Sequence, residues 1–98
     1  MNETAEWERV KSRLPMGAEV RGTVLVHAPF GIFVDLAEAP GANAVLDGID
    51  YRPGGEPVGP DGWPPKGAPI EAVVVDHVDE NRQLKLRVGP SWWDTGAP

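Results

Sequence analysis

Apolar and polar residues alternate along most of the chain after its first fifteen residues, and this alternation is the strongest structural signal in the sequence. A period of two residues is typical of β-strands that bury one face and expose the other. Turn-forming residues separate the alternating stretches, so each stretch is predicted to be one short strand. Five strands are predicted, at 19–27, 30–36, 44–49, 69–78 and 83–88.

The apolar members of these strands are predicted to form a single core. This inward set consists of Val24, Val26, Ile32, Val34, Leu36, Leu46, Ile70, Val74, Leu84 and Leu86. In the second strand Phe33 and Asp35 have the opposite phase, and in the fifth strand Gln83, Lys85 and Arg87 do. An aromatic ring on the outward side of an amphipathic strand has no place in the core, so Phe33 is a candidate binding residue.

The start of the chain has a different periodicity. Trp7, Val10 and Leu14 recur at helical spacing within residues 3–14. Acidic residues come first in this stretch and basic residues last, an order that suits the helix dipole. Pro15 is expected to end the helix, because the residue before a proline disfavours helical geometry. A short helix is therefore predicted before the first strand.

A long loop is predicted between the third and fourth strands, because residues 53–67 contain five glycines and five prolines. Five short strands favour a closed barrel, since closure removes the exposed edges of a small sheet. We therefore predict an all-β fold, a five-stranded antiparallel barrel of the OB type with a short N-terminal helix. The OB-fold binds oligonucleotides on its second and third strands and on the adjoining loops.

Composition narrows the possible functions. Of 98 residues, 12 are glycine and 11 proline, which disfavours a helical bundle, while 41% are hydrophobic, too many for a disordered chain. Cysteine is absent, which excludes disulfides and fits a reducing cytoplasm. No apolar stretch is long enough to cross a membrane, and residues 1–8 lack signal-peptide features. The formal net charge of −6 counts against strong non-specific binding to nucleic acid.

Four segments contain specific sequence motifs in addition to the alternation of apolar and polar residues. They are residues 16–24 (MGAEVRGTV), 30–36 (FGIFVDL), 66–67 (KG), and 78–79 together with 82–86 (RQLKL). In this order they resemble the opening strand, the aromatic-glycine strand, a glycine turn and the closing hairpin of the S1-type RNA-binding domain, the OB-fold module of ribosomal protein S1. The resemblance covers residues 16–89. It divides the chain into an N-terminal helical extension (1–15), an S1-like domain (16–89) and a tail (90–98).

This resemblance implies binding of single-stranded RNA. In the family two aromatic residues of the second strand stack on bases, and they correspond to Phe30 and Phe33. His27, Arg82, Gln83 and Lys85 are the candidates for polar and phosphate contacts. No catalytic motif is present, so we expect a non-catalytic protein, and no metal or cofactor is implied. We expect a monomer without membrane contact.

The sequence also departs from the family pattern, which implies weak binding. Asp47 stands where many members have a histidine, and Gln83 stands where a basic residue is common. Arg21 and Arg87 are further candidates for a basic patch, although charged strand residues are usually only solvated. For Asp79 two interpretations stay open: a bond to a base or sugar, and acceptance of backbone N–H groups within its own turn.

The tryptophans leave a second functional hypothesis open. Trp63, Trp92 and Trp93 either pack over an open end of the barrel or dock a protein partner. The alternative to RNA binding is thus a protein-interaction module with little RNA affinity. A neutral or basic surface on the second and third strands favours RNA, whereas a uniformly acidic surface favours a protein partner.

Overall fold

The computed structural model describes residues 3–90, so the predicted tail lies almost wholly outside the described residues. One helix, α1 (Glu3–Arg13), precedes five strands: β1 (Glu19–Ala28), β2 (Gly31–Leu36), β3 (Ala39–Tyr51), β4 (Pro69–Val78) and β5 (Gln83–Val88). Short 3-10 helices follow β3 and β4, at Pro60–Gly62 and Asp79–Asn81. In this part of the chain no helix has the length and apolar character needed to cross a membrane.

The five strands close into a barrel in the order β1-β2-β3-β5-β4. The barrel confirms the predicted OB-type architecture, but the prediction that it is antiparallel throughout is wrong. The β3–β5 pair is parallel and the other four pairs are antiparallel. In a closed ring with an odd number of strands, direction cannot alternate at every step. At least one neighbouring pair must therefore be parallel.

The third strand is more than twice as long as predicted. Its observed range is Ala39–Tyr51, whereas the alternation predicted only 44–49. Pro40 and Gly41 near its start resemble a turn in the sequence, yet Ala39 already pairs with Leu36 of β2. Pairing with a neighbouring strand, which sequence periodicity does not show, extends the strand through these residues.

Nine of the ten residues predicted to point inward are at most 8% exposed. Val26 is the exception, because it is 51% exposed. The β1–β2 register shifts between Val24 and Val26, so the extra residue Leu25 forms a bulge. A one-residue shift reverses the phase of the strand beyond it. Val26 therefore lies outside the barrel.

A tryptophan closes each end of the barrel. Trp7 of α1 packs at the end that holds the β4–β5 turn, where its ring stands edge-on to His77 with centroids 6.1 Å apart. Trp63 of the β3–β4 loop packs at the other end, beside the β1–β2 turn, edge-on to His27 at 5.5 Å. Both indoles are at most 8% exposed and belong to the core cluster.

Candidate nucleic-acid interface

The outward side chains of β2, β3 and β5 form one continuous surface, here called the β2–β3–β5 face. Phe33 of β2 pairs with Val45 of β3, which pairs in turn with Lys85 of β5. Residues directly paired across strands point to the same side of a sheet. The face consists of Phe33, Asp35, Asn43, Val45, Asp47, Gln83, Lys85 and Arg87. The β1–β2 turn borders one end of it and the β4–β5 turn borders the other.

The centre of this face is apolar. Phe33 is half-buried and points outward, as predicted from its phase. Phe30 in the adjoining turn is 57% exposed and stands edge-on to Phe33, with ring centroids 5.8 Å apart. Val45 is fully buried between its paired neighbours even though it points outward, and the exposed Val26 pairs with Phe33 from β1. The two rings beside the exposed Val26 make a surface on which a flat base can stack.

Backbone geometry holds Phe30 beside this surface. A Cβ atom at Gly31 would collide with the backbone of Leu46 and Asp47, so only glycine lets β2 approach β3 this closely. The Gly48 amide donates a hydrogen bond of 2.8 Å to the Phe30 carbonyl oxygen. The glycine in the quoted FGIFVDL segment is thus a packing requirement of the site.

The predicted phosphate ligand Lys85 already has an anionic partner. Its Nζ lies 3.3 Å from both carboxylate oxygens of Asp47, and both side chains are about two-thirds buried. Asp47, which departs from the family pattern, therefore neutralises Lys85, the residue paired with Val45 on the neighbouring strand. Because the pair is internally compensated, Lys85 attracts a phosphate less strongly than a free lysine would.

Two more charged residues, Arg87 and Asp50, lie near the Lys85–Asp47 pair. Arg87 lies on the outward side of β5, as predicted, but is only 9% exposed. Burial raises the pKa of the nearby Asp50, and the Arg87 guanidinium opposes that rise. Asp47, Arg52 and Lys85 also act on Asp50 electrostatically. Arg87 thus belongs to a network within the barrel wall, with little surface available to a ligand.

At the opposite end of the face, amide side chains adjoin the β4–β5 turn. Gln83 is 8% exposed, and its Nε2 donates a hydrogen bond of 3.4 Å to Asn43 Oδ1. Asn43 Nδ2 donates in turn to the Asn81 carbonyl oxygen at 3.5 Å. Arg82 is exposed at the end of the turn, with a positive φ of 50°. This end of the face offers neutral hydrogen-bonding groups and one exposed guanidinium.

Within residues 3–90 the Asp79 side chain contacts α1 instead of the backbone of its own turn, while its bond to a base or sugar stays a prediction. Its Oδ1 accepts hydrogen bonds of 2.8 Å from Trp7 Nε1 and from Lys11 Nζ, and Lys11 also pairs with Glu8 at 3.1 Å. The bonds from Lys11 and Trp7 hold the pKa of Asp79 below its ordinary value. The same contact, reinforced by Glu8, raises the pKa of Lys11. The Asp79 side chain therefore attaches α1 to the β4–β5 turn.

His27 and Trp63 face the barrel end instead of the stacking surface. His27 Nε2 lies 2.7 Å from the Pro64 carbonyl oxygen, and the ring contacts Trp63 edge-on. Trp63 is 8% exposed, and its indole N–H donates to the Val58 carbonyl oxygen at 3.2 Å. The docking interpretation of Trp63 is therefore wrong, because the ring has no surface to offer a partner. Trp92 and Trp93 lie outside the described residues.

Arg21 does not join the candidate surface. It pairs across β1 and β4 with Glu71, at 3.7 Å, on the other side of the barrel. On the β2–β3–β5 face itself, two aspartates (Asp35, Asp47) and two cations (Lys85, Arg87) cancel. The face is therefore formally neutral in a chain whose net charge is −6.

Residues 3–90 contain no cluster of three side chains suited to hold a metal ion. His27 and His77 lie at opposite barrel ends, where Nε2 of each ring is 2.7 Å from a backbone carbonyl oxygen. The structure adds one site residue that periodicity missed, Asn43. It lies directly before the predicted third strand, and extending the alternation of that strand backwards would have found it.

No protein-family model and no curated protein matches the chain. Solved structures do. The intact α subunit of aIF2 from Pyrococcus abyssi matches 78% of this chain with TM-score 0.64 and 22% identity, over 29% of its own length. RNase R from Mycoplasma genitalium, in complex with ribose-methylated single-stranded RNA, matches 86% with TM-score 0.64 and 13% identity, over 14% of its length. GSP13 from Bacillus subtilis matches 87% with TM-score 0.57 and 17% identity, over 61% of its length.

The barrel has the OB-fold, the fold that the S1-type resemblance implied. The resemblance drawn from the four sequence segments is thereby confirmed at the level of fold. The chain spans less than two-thirds of the length of each of these three proteins. The β2–β3–β5 face contains the second and third strands, where OB-folds bind oligonucleotides.

Proposed function

We propose that this chain is a non-catalytic module that binds single-stranded RNA on the β2–β3–β5 face. The observation that carries the proposal is the Phe30–Phe33 pair, two partly exposed rings at the centre of a neutral surface in an acidic molecule. Rings left open to solvent are costly unless a ligand covers them, and a base stacked on an aromatic side chain contributes about 1–3 kcal/mol.

The charges of the face favour RNA over an interaction module. A uniformly acidic face would repel phosphates, whereas Asp47 here is neutralised by Lys85. Two structural neighbours are described with RNA: RNase R with a ribose-methylated single strand and an archaeal a/eIF2α in an rRNA complex. Single-stranded RNA suits the site best, because its unpaired bases are free to stack on exposed rings.

Weak affinity follows from the same geometry. Two stacked bases contribute about 2–6 kcal/mol before ordering costs. Lys85, which is paired with Val45 on this face, is already neutralised by the Asp47 carboxylate. We therefore expect dissociation constants from roughly tens of micromolar to millimolar, which correspond to about −4 to −6 kcal/mol.

A titration of the protein's amide resonances with short single-stranded RNAs of mixed sequence, at low salt and up to millimolar RNA, tests the proposal. Residues 27–35 and 43–47 should move first, and Phe33→Ala should weaken their response while the other resonances stay in place. A double-stranded RNA of the same composition serves as the control for strand state. If no resonance of these residues moves, the RNA hypothesis is wrong and the interaction-module hypothesis takes its place.

A further inference from the structure

Most cations of this chain already have partners. Within residues 3–90, seven of the nine lysine and arginine side chains form hydrogen bonds, ion pairs or other electrostatic contacts. Only Lys66 and Arg9 have none in this described part of the chain. An ammonium without a partner keeps its full attraction for a phosphate, whereas a compensated one loses much of it.

Lys66 lies at the tip of a tight turn that runs beside β1. The Ala68 amide donates to the Pro65 carbonyl oxygen at 3.0 Å, and Gly67 has φ +88°, the positive value that the third residue of a type II turn requires. Lys66 is the second residue of this turn, and its side chain is exposed. A short turn of this kind holds the lysine at one place on the barrel.

Two contacts locate that place. The Gly67 amide donates to the Val24 carbonyl oxygen at 2.8 Å, and His27 Nε2 lies 2.7 Å from the Pro64 carbonyl oxygen. The segment between Pro64 and Gly67 therefore runs antiparallel to β1 and sets Lys66 beside Leu25 and Val26. These two side chains, 47% and 51% exposed, are the ones that the β1 bulge turns outward.

Across the barrel wall, the order of outward groups is consequently Lys66, Val26, Phe33, Val45 and Lys85. The three apolar residues Val26, Phe33 and Val45 thus have one lysine on each side. Neighbouring strands are about 4.8 Å apart, so Lys66 lies roughly two strand spacings from Phe33, within reach of a lysine side chain for the phosphate of a base stacked there. Asp47 compensates the lysine on the β5 side, and nothing in the described residues compensates the one on the β1 side.

We propose that Lys66 is a phosphate-binding residue for the RNA strand that stacks on Phe33, and that the exposed Leu25 and Val26 extend the binding surface over β1. This proposal rests on the proposed RNA-binding function. It places the main electrostatic contact on the β1 side of the rings, where the sequence had predicted Lys85 and Arg82 of the β5 side. The β1 bulge and the β3–β4 loop build this subsite together.

The test compares Lys66→Ala with Arg9→Ala, which removes the other unpartnered cation at the opposite barrel end. Binding of a uridine hexanucleotide is measured over a tenfold range of salt. Lys66→Ala should flatten the slope of log affinity against log salt by about 0.7. Over the tenfold salt range, the variant should therefore lose about fivefold less affinity than the unchanged protein. Arg9→Ala should leave the slope unchanged, and Lys66→Arg should retain it.

Each result decides between the two proposals. Equal slopes for Lys66→Ala and Arg9→Ala, with binding that still depends on Phe33, would overturn the Lys66 subsite and leave RNA binding intact. No binding of the hexanucleotide to the unchanged protein, or binding insensitive to Phe33→Ala, would overturn the proposed function itself. Amide spectra of both alanine variants establish that the fold is unchanged, as expected for exposed side chains.

Discussion

The two outer sides of the barrel wall are built from the same kind of strand and offer opposite surfaces. The β2–β3–β5 face has an apolar centre, and its formal charges cancel. The β1–β4 face, formed by the outward residues Glu19, Arg21, Thr23, Glu71 and Val73, has no aromatic ring and an excess of glutamates. Glu38 adds to this excess, because its carboxylate accepts the Arg21 amide at 3.1 Å.

The β2–β3–β5 face and the β1–β4 face differ only in the residues that point outward. Inward residues on both sides are small or branched aliphatics such as Val20, Val34 and Val74, and all three are at most 2% exposed. The inward phase therefore maintains the barrel, while the outward phase is free to carry a function on one side and solubilising charge on the other. Matched substitutions on the two faces separate these roles.

A change in the shared core should damage both faces together. Val34→Ala removes two methyl groups from a side chain that is 1% exposed, leaving a cavity between the strands. We expect the free energy of unfolding to fall by about 1–3 kcal/mol, from lost burial and the cavity. Urea denaturation measures the effect, and an unchanged midpoint would show that the strand register is wrong.

Removal of the stacking ring should affect RNA binding alone. Phe33→Ala is expected to weaken binding of short single-stranded RNA by about 1–3 kcal/mol, roughly 5- to 150-fold, because a stacked base loses its platform. Val73→Ala, an outward apolar residue of the β1–β4 face, is the matched control and should leave affinity unchanged. A titration followed by amide shifts measures both variants. Equal losses would mean that RNA does not distinguish the faces.

Release of the compensated lysine should strengthen binding. Asp47→Asn removes the charge held 3.3 Å from Lys85 Nζ. The freed ammonium should steepen the dependence of log affinity on log salt by about 0.7, the contribution of one phosphate contact on a single strand. Glu71→Gln frees Arg21 on the β1–β4 face in the same way and should leave the slope alone. A salt series on both variants would contradict this account if the slopes changed equally.

The smallest effect on binding is expected at the edge of the β2–β3–β5 face. Asp79→Asn removes the charge that holds Trp7 and Lys11 of α1, and RNA affinity should stay unchanged because this carboxylate serves the helix. A loss of affinity comparable to that of Phe33→Ala would instead assign Asp79 to the interface. The indole N–H resonance of Trp7 should shift in the variant.

Protonation of Asp79 at acid pH should have the same effect on Trp7 in the unchanged protein as the Asp79→Asn substitution. Because the pKa of Asp79 is lowered from the ordinary 3.8, its ionised form is favoured in the folded state. Its contribution is complete above the unfolded value and is lost as pH falls through the lowered folded value. The Trp7 indole resonance should therefore titrate below pH 3.8. Titration above that value would contradict the assigned contact.

Periodicity was a reliable guide to the fold where each strand keeps one phase throughout. Nine of ten core positions, the helix and the five strands follow from local alternation. Val26 was assigned to the wrong side because a bulge adds one residue, and only pairing with β2 reveals that addition. The parallel β3–β5 pair was missed because strand direction around a ring is a property of closure.

The candidate site divides in the same manner. Phe30 and Phe33 could be named from their outward phase and from the family resemblance, since both depend on neighbouring residues of one strand. The partners of Lys85 and Asp79 could not, because Asp47 and Lys11 are 38 and 68 positions away in the chain. Lys66 gained its significance only from the turn that places it beside β1.

The amino-acid pattern alone thus indicates most of the apolar core, the positions of the strands and the two rings that are available to a ligand. These are consequences of short-range chemistry, in which apolar phase and turn residues act within a few positions. The folded barrel decides which charges are cancelled and which remain available, because electrostatic partners are chosen by distance in space. In this protein that choice pairs Lys85 with Asp47 and Asp79 with α1, and it leaves Lys66 without a partner among residues 3–90.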